Sequence, residues 1–158
     1  MCRYALPYMP HYACFLCRKA YKRRLLGDLP PQEDKPFRCP QCQGPMADMG
    51  QDFAPPKMRA VKAWRTLESL YEAGQTFHSC GCSGPGYRPR DPRALRSFLE
   101  LRLQEYTRNA ERPLDTHTPG IWEEQDSGRR KHRWRSPSEA RSYWIERARA
   151  VEAVLAGL

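Results

Sequence analysis

The sequence lacks the long apolar segments that mark membrane and secreted proteins. No stretch reaches the roughly 20 apolar residues that a membrane-spanning helix needs, and the N-terminus has no basic start followed by an apolar run, as a secretory signal would. We therefore expect a cytoplasmic protein without a membrane partner. In that compartment cysteines stay reduced, so paired cysteines indicate metal ligands more than disulfides.

The signatures of common enzyme classes are also missing. The chain has no Gly-x4-Gly-Lys phosphate loop, no His-Glu-x2-His zinc motif and no Gly-x-Ser-x-Gly nucleophile turn. Only four histidines are present, and none begins the His-x-Glu element of the zinc deaminases. The carboxylates form no recognisable catalytic set. We expect no enzymatic activity, and no small-molecule substrate is evident.

Apolar residues are too few to suggest a large core. They make up 40% of the 158 residues, and the mean hydropathy is −0.83. Fifteen prolines and ten glycines divide the chain into short elements. Small folds of this kind often depend on a structural metal ion for stability.

What the sequence does have is an excess of positive charge at both ends. The net charge is +9, from 27 Lys and Arg against 18 Asp and Glu. Residues 1–60 carry +5, residues 61–126 carry −1, and residues 127–158 carry +5. Solubility alone does not require this segregation, whereas a polyanionic partner such as nucleic acid favours it.

Four cysteines form two Cys-x2-Cys pairs, Cys14/Cys17 and Cys39/Cys42, with 21 residues between the pairs. Two intervening residues let both thiolates of a pair point at one ion. Two such pairs supply four soft ligands in a tetrahedron, the arrangement of a closed structural Zn²⁺ site with no open position for catalysis. The sequence therefore predicts one structural zinc ion. A rubredoxin-like iron site has the same ligands and stays open as an alternative.

The stretches "CFLC" and "CPQC" resemble the two knuckles of the zinc-ribbon family, and the resemblance covers about residues 11–55. It implies a module built from short hairpins, of a kind found in ribosomal proteins, transcription factors and nucleic-acid enzymes. The block "FRCPQCQGPMADMGQDFAPPK" is also similar to one in small uncharacterised bacterial zinc-ribbon proteins. Many ribbons have glycine directly after the second cysteine of a knuckle, whereas this chain has Arg18 and Gln43.

A further thiol motif, "HSCGC", contains His78, Cys80 and Cys82. One interpretation is half of a second metal site, completed by Cys2 or His117. The other is a turn with partly buried thiols, which we favour because one residue between cysteines is unusual in closed zinc sites and no second pair is present.

Two basic runs carry the excess charge and contain aromatic residues. Arginines and lysines interleaved with aromatic side chains suit contacts to phosphates together with stacking on unpaired bases. An ordinary solvated surface is the alternative. The predicted nucleic-acid-binding residues are Arg18, Lys19, Lys22, Arg23, Arg24, Arg129, Arg130, Lys131, Arg133, Trp134 and Arg135.

The pattern as a whole predicts a small α+β fold, in which a ribbon of short antiparallel strands precedes two to three helices. Residues 1–12 are predicted to be an extended arm, and the stretches "KAYKRRLL" and "KPFRC" to be short strands. Apolar spacing and glycine, proline and capping signals place helices over about 57–73, from Asp91-Pro92 onward, and from a Ser136 cap whose capping box ends at Glu139. We predict four segments: a zinc ribbon with an N-terminal arm (1–56), a helical segment packed on it (57–112), a linker with a basic run (113–135) and an amphipathic helix (136–158).

These observations favour a zinc-ribbon protein that binds nucleic acid, with structured RNA in a ribosome or other ribonucleoprotein preferred. Two alternatives stay open. A DNA- or transcription-associated ribbon would use the same basic surface. A protein-interaction adaptor would dock on a partner by the apolar seam of its C-terminal helix, from Ala140 to Leu155.

Overall fold

The predicted α+β class is confirmed by a three-stranded antiparallel sheet near the N-terminus and by three helices. By its contacts the chain divides into two compact units, Met1–Phe98 and Leu99–Leu158. The predicted segment boundaries near 56, 112 and 135 stay predictions. None of the described helices has the length and apolar character needed to cross a membrane. The structure is a computed structural model that describes residues 9–23, 37–79, 84–112, 119–124 and 130–158.

The sheet of the first unit has strand order β2-β1-β3. The central strand β1 (His11–Cys14) pairs with β2 (Lys19–Lys22) on one side and β3 (Ala47–Gly50) on the other. Tyr12 is almost fully buried and its ring contacts Phe37, with the ring centroids 4.8 Å apart. β1 therefore begins inside the segment that was predicted to be an arm, because burial of Tyr12 stabilises an extended backbone there.

Of the two strands predicted in this region, one forms as expected. The stretch "KAYKRRLL" contains β2. The stretch "KPFRC" contributes a single isolated bridge between Arg38 and Pro45 within the described residues. β3 was not anticipated, since its sequence "ADMG" has no strong strand signal.

Gly50 at the end of β3 allows a second chain segment to approach closely. Its φ is +89°, and a Cβ there would lie 2.5 Å from Phe77 C and His78 N. Backbone hydrogen bonds from Phe77 N to Met49 O (2.7 Å) and from Asp52 N to Phe77 O (3.3 Å) hold the segment in place. The outer side of β3 is thus covered by backbone, which only glycine permits at this distance.

Helix α1 spans Val61–Glu72 and ends as its sequence predicts. Gly74 has a φ of +70°, and its N–H donates to Tyr71 O while Gln75 N donates to Leu70 O. This is a Schellman motif, in which a left-handed glycine lets the chain satisfy the last carbonyls. The helix begins four residues later than expected, because residues 57–60 form a turn closed by Ala60 N and Lys57 O at 2.9 Å.

Helices α2 (Pro92–Glu111) and α3 (Pro137–Ala156) begin at their predicted caps. Asp91 Oδ1 accepts from Ala94 N at 2.9 Å. Ser136 and Glu139 form both halves of a capping box. The apolar seam of α3 is already covered in part, since Ala140, Trp144 and Val151 are buried.

A hairpin lies within the segment predicted to be a linker. Strand β4 (Ile121–Glu124) pairs antiparallel with β5 (Arg130–Arg133), and Glu123 stands opposite Lys131. No single short pattern in the sequence predicts these strands. Their pairing depends on contacts between residues about ten positions apart, which periodicity does not report.

Candidate metal centre

The first knuckle is the turn that joins β1 to β2. Cys14 is the last residue of β1, and residues 15–18 turn the chain into Lys19. Cys17 N donates to Cys14 Sγ at 3.4 Å, so the backbone of the turn solvates the sulfur. Arg18, at the end of the turn, donates from Nε to Met58 O at 2.9 Å. The knuckle is therefore held by the sheet on one side and by the start of the α1 region on the other.

The second knuckle is a tight turn around Cys39 and Cys42. Gln43 N donates to Cys39 O at 2.8 Å, and Cys39 N donates to Gly44 O at 2.9 Å. A Cβ on Gly44 would lie 3.3 Å from Cys42 Sγ, so a side chain there would crowd a ligand. These bonds form between residues at most five positions apart, which explains why the local sequence predicts the turn.

Both knuckles end in a left-handed residue at the position where many ribbons have glycine. Arg18 has a φ of 53° and Gln43 a φ of 58°. They are the only non-glycine residues with positive φ in the part of the chain that the structure describes. Each such residue costs about 1 kcal/mol or more. Both knuckles therefore adopt the left-handed conformation that glycine favours, at a cost in backbone strain.

The four cysteine sulfurs form one cluster, with all four within 4.8 Å of one another. Cys14 Sγ lies 3.6 Å from Cys42 Sγ, and Cys17 Sγ lies 3.8 Å from Cys39 Sγ. A tetrahedron with metal–sulfur bonds of about 2.3 Å has edges of about 3.8 Å, whereas a disulfide needs sulfurs about 2.0 Å apart. The spacing fits four ligands around one metal ion, as predicted, and does not fit disulfides.

The thiols differ in acidity because their surroundings differ. Backbone hydrogen bonds, first from Cys42 and then from Gln41, lower the pKa of Cys39 to about 6. A side-chain hydrogen bond with Cys42 raises the pKa of Cys17 to about 12, and burial raises the pKa of Cys14. Thiolates this close repel one another, so all four would ionise together only around a bound divalent cation.

Tyr21 on β2 is a neighbour of the cluster that sequence reasoning missed. Burial raises the pKa of its phenol, and the nearby sulfurs of Cys39 and Cys17 raise it further. The signal available in the sequence is strand alternation. Lys19 pairs with Cys14, and Tyr21, two residues further along β2, lies on the same face of the sheet.

The first basic run is divided between a structural and an exposed part. Lys19, Lys22 and Arg23 are exposed, and none of the three makes an ion pair with another described residue. Arg18 is half-buried and bonded to Met58 O. Arg24 lies outside the described residues.

The second basic run is used largely within the protein. The Arg133 guanidinium donates to both carboxylate oxygens of Glu139, at 2.7 and 2.8 Å, and to Glu123 Oε1 at 2.6 Å. These hydrogen bonds lower the pKa of Glu139 to about 2 and raise that of Arg133. Arg135 donates to Pro119 O and lies over the Tyr143 ring, 4.6 Å from its centroid.

The remainder of this run is more open. Trp134 is 74% exposed, with its ring 5.0 Å from that of His132, and Lys131 is exposed. Arg129 and the side chain of Arg130 lie outside the described residues. Of the predicted contact residues in this run, the structure therefore leaves Lys131 and Trp134 accessible.

Of the metal-ligating residues in the "HSCGC" motif, only the histidine lies within the described residues. His78 Nε2 lies 3.2 Å from Asp48 Oδ1. Cys80 and Cys82 lie outside the described residues, as do the suggested completing residues Cys2 and His117. Among the residues that the structure describes, the four-cysteine cluster is the one group with metal-site geometry.

Comparisons with protein-family models, with curated proteins and with solved structures find no match to this chain. The four-cysteine cluster is consistent with a zinc-ribbon-like site. Membership of the zinc-ribbon family stays a prediction that rests on the two knuckles and their spacing.

Proposed function

We propose that this chain is a non-enzymatic zinc-ribbon protein that binds nucleic acid, with structured RNA of a ribosome or other ribonucleoprotein as the preferred partner. One observation carries the proposal. Directly after the first metal knuckle, β2 holds Lys19 and Lys22 exposed, with Arg23 following, and no described acidic side chain neutralises them. A rigid strand that presents unpaired cations suits phosphate contacts.

Zinc is the proposed ion, and its proposed role is structural. Four thiolates at tetrahedral spacing match Zn²⁺ and fill its coordination sphere, so no water would be activated there. The ion would join two turns that are distant in sequence and stabilise a sheet whose strands have only four residues each. Iron in the same ligands is the alternative, and metal analysis of the purified protein separates the two.

The alternatives differ in what supports them. A DNA- or transcription-associated ribbon would use the same cations, and the binding test therefore includes DNA. An adaptor would need the α3 seam to be available. Trp144, at the middle of that seam, is buried and its ring centroid lies 5.4 Å from that of Tyr106 within the same unit. This contact gives the adaptor no support.

The test measures binding of the zinc-loaded protein to an RNA stem-loop, to single-stranded DNA and to duplex DNA over a range of salt concentrations. We expect RNA to bind most tightly, with an affinity that falls steeply with salt. The knuckle triple variant, Lys19→Gln, Lys22→Gln and Arg23→Gln, should reduce the slope of log K against log salt by about 2.

A matched control removes the same charge from exposed helical positions that make no described ion pair, namely Arg108→Gln, Arg141→Gln and Arg149→Gln. This control triple should change the slope by less than about 1. Absence of binding to all three nucleic acids at low salt would show that the proposed function is wrong. Equal losses in the two triples would show that net charge, not the ribbon surface, drives binding.

A further inference from the structure

The first knuckle rests against the beginning of α1, far away in the sequence. Arg18 Nε donates to Met58 O at 2.9 Å. The ring of Phe15, in the same turn, lies 6.3 Å from that of Trp64. Residues 57–64 therefore adjoin the knuckle, although about 40 residues separate them along the chain.

This adjoining segment is strongly basic. No Asp or Glu occurs between Phe53 and Leu67. All four cations within it are exposed, and none makes an ion pair with any residue in the described ranges. We call this group, two residues in the turn before α1 and two within the helix, the helix cations: Lys57, Arg59, Lys62 and Arg65.

The backbone that carries these cations is ordered by its own hydrogen bonds. Lys57 O accepts from Ala60 N at 2.9 Å and from Trp64 Nε1 at 3.2 Å. Val61 N donates to Arg59 O at 2.9 Å. The indole of Trp64 is buried, so the turn is anchored in the core of the first unit. The cations therefore project from a fixed backbone, which lowers the entropy lost when they meet a ligand.

The first knuckle and the adjoining segment before and within α1 both carry positive charge. Lys19 on the knuckle side and Lys57, Arg59 and Lys62 on the α1 side carry four positive charges, and Arg18, next to Lys19 in the chain, bonds to the backbone of Met58 between Lys57 and Arg59. Like charges held near one another repel, which destabilises the folded chain unless a polyanion neutralises them. The ion pairs of Arg102 and Arg133 show that this chain pairs arginines internally elsewhere.

We infer that Lys57, Arg59 and Lys62 are phosphate-contacting residues that extend the ribbon surface of β2 onto the start of α1. This inference rests on the proposed function. It adds a second element to the contact surface and connects that surface to the metal centre through Arg18. A single run of basic sequence then contributes only part of the interface, and the fold assembles the rest.

The experiment compares the wild-type protein with a helix triple variant, Lys57→Gln, Arg59→Gln and Lys62→Gln, and with the control triple. The probe is a fluorescently labelled RNA stem-loop with a single-stranded tail, and binding is measured over a salt series. We expect the helix triple to lower the slope of log K against log salt by about 2, and the control triple by less than about 1. A fourth protein, Lys57→Arg with Lys62→Arg, keeps the charge and should keep the wild-type slope.

Metal content and thermal unfolding of each variant establish that the fold is intact, as exposed polar substitutions should leave it. If the wild-type protein does not bind the RNA at low salt, the proposed function fails and this inference with it. If the wild-type protein binds and the helix triple behaves like the control triple, the proposed function stands and this inference is overturned.

Discussion

The two basic runs, 18–24 and 129–135, have similar composition, but their described residues differ in how far other side chains pair their charges. In the first, Lys19 and Lys22 on the edge strand β2 and Arg23 directly after it are exposed to solvent. In the second, Arg133 is held by Glu123 and Glu139, and Arg135 packs on Tyr143. A run of cations in a sequence is therefore not yet a binding surface, because the fold decides which charges remain unpaired.

Loss of the metal ion should produce the largest difference in stability between the first unit and the second. Cys39→Ser removes one ligand, and a structural zinc ion contributes apparent binding free energies of about 10–16 kcal/mol in small domains. We expect amide protection in β1, β2 and β3 to be lost, while α3 and the β4–β5 hairpin keep theirs. Hydrogen exchange followed by mass spectrometry measures both regions at once. Equal loss of protection in α3 would contradict separate stabilisation of the two units.

Glycine substitutions should affect the two regions unequally. Gly50→Ala places a Cβ against the backbone of Phe77 and His78 at a φ of +89°, and we expect a loss of roughly 3 kcal/mol in unfolding free energy. Gly120→Ala mainly meets the end of the exposed His132 side chain, which can move, so about 1 kcal/mol or less is expected. Urea denaturation gives both values. If Gly50→Ala costs no more unfolding free energy than Gly120→Ala, the backbone of residues 77–78 can shift to accommodate the added Cβ.

Substitutions at Arg133 and Lys131, two residues apart on β5, should distinguish a residue that stabilises the fold from one that contacts RNA. Arg133→Gln breaks the ion pairs to Glu123 and Glu139, so it should lower the thermal midpoint of the second unit by a few degrees and change RNA affinity little. Lys131→Gln should leave the midpoint unchanged and lower the salt slope by about 0.7. Calorimetry and the salt series test the pair. The reverse pattern would assign Arg133 to the interface.

Acid should weaken the second region through Glu139. Its pKa is about 2 in the folded protein, below the ordinary 4.5, because Arg133 and the Ser136 cap stabilise the carboxylate. The stabilisation is therefore complete above pH 4.5 and is lost as the pH falls towards 2. Glu139→Gln keeps a capping-box residue and should flatten this pH dependence of the unfolding midpoint. Glu152→Gln, an exposed change on the same helix, should leave it as in the wild-type protein.

The smallest expected effect concerns the strained knuckle residue of the first region. Gln43→Gly should raise the unfolding free energy by up to about 1 kcal/mol, since glycine adopts a φ of 58° without strain. Gln41→Gly, at a neighbouring exposed position without positive φ, should lower it by about 0.5 kcal/mol through unfolded-state entropy. Equilibrium unfolding of the zinc-loaded protein measures the difference. A loss in both variants would show that Gln43 carries no strain.

The two cysteine turns and the helix caps were predictable because the interactions that define them are local. Each Cys-x2-Cys pair, the Asp91 and Ser136 caps and the Gly74 stop involve residues within about five positions of one another. Spacing alone also indicated that four cysteines would meet, since a second pair is needed to complete a tetrahedral site.

The second element of the proposed contact surface was not predicted, because charge counts over long windows hide it. A count over residues 1–60 includes Lys57 and Arg59 with the ribbon, and a count over residues 61–126 offsets Lys62 and Arg65 against acidic residues such as Glu68 and Glu72. A shorter window over 53–67 would have found four cations and no acid. Only the fold connects these cations to the first knuckle, through the hydrogen bond from Arg18 Nε to Met58 O.

By itself, the sequence determined the four-cysteine set, the caps at which α2 and α3 begin and the glycine at which α1 ends, because backbone geometry and side-chain chemistry act over a few residues. The tertiary structure decided which of the described arginines are held in ion pairs, that β4 pairs with β5, and that the first knuckle lies against the start of α1. These outcomes depend on pairings across long stretches of chain, whose energies no local pattern records.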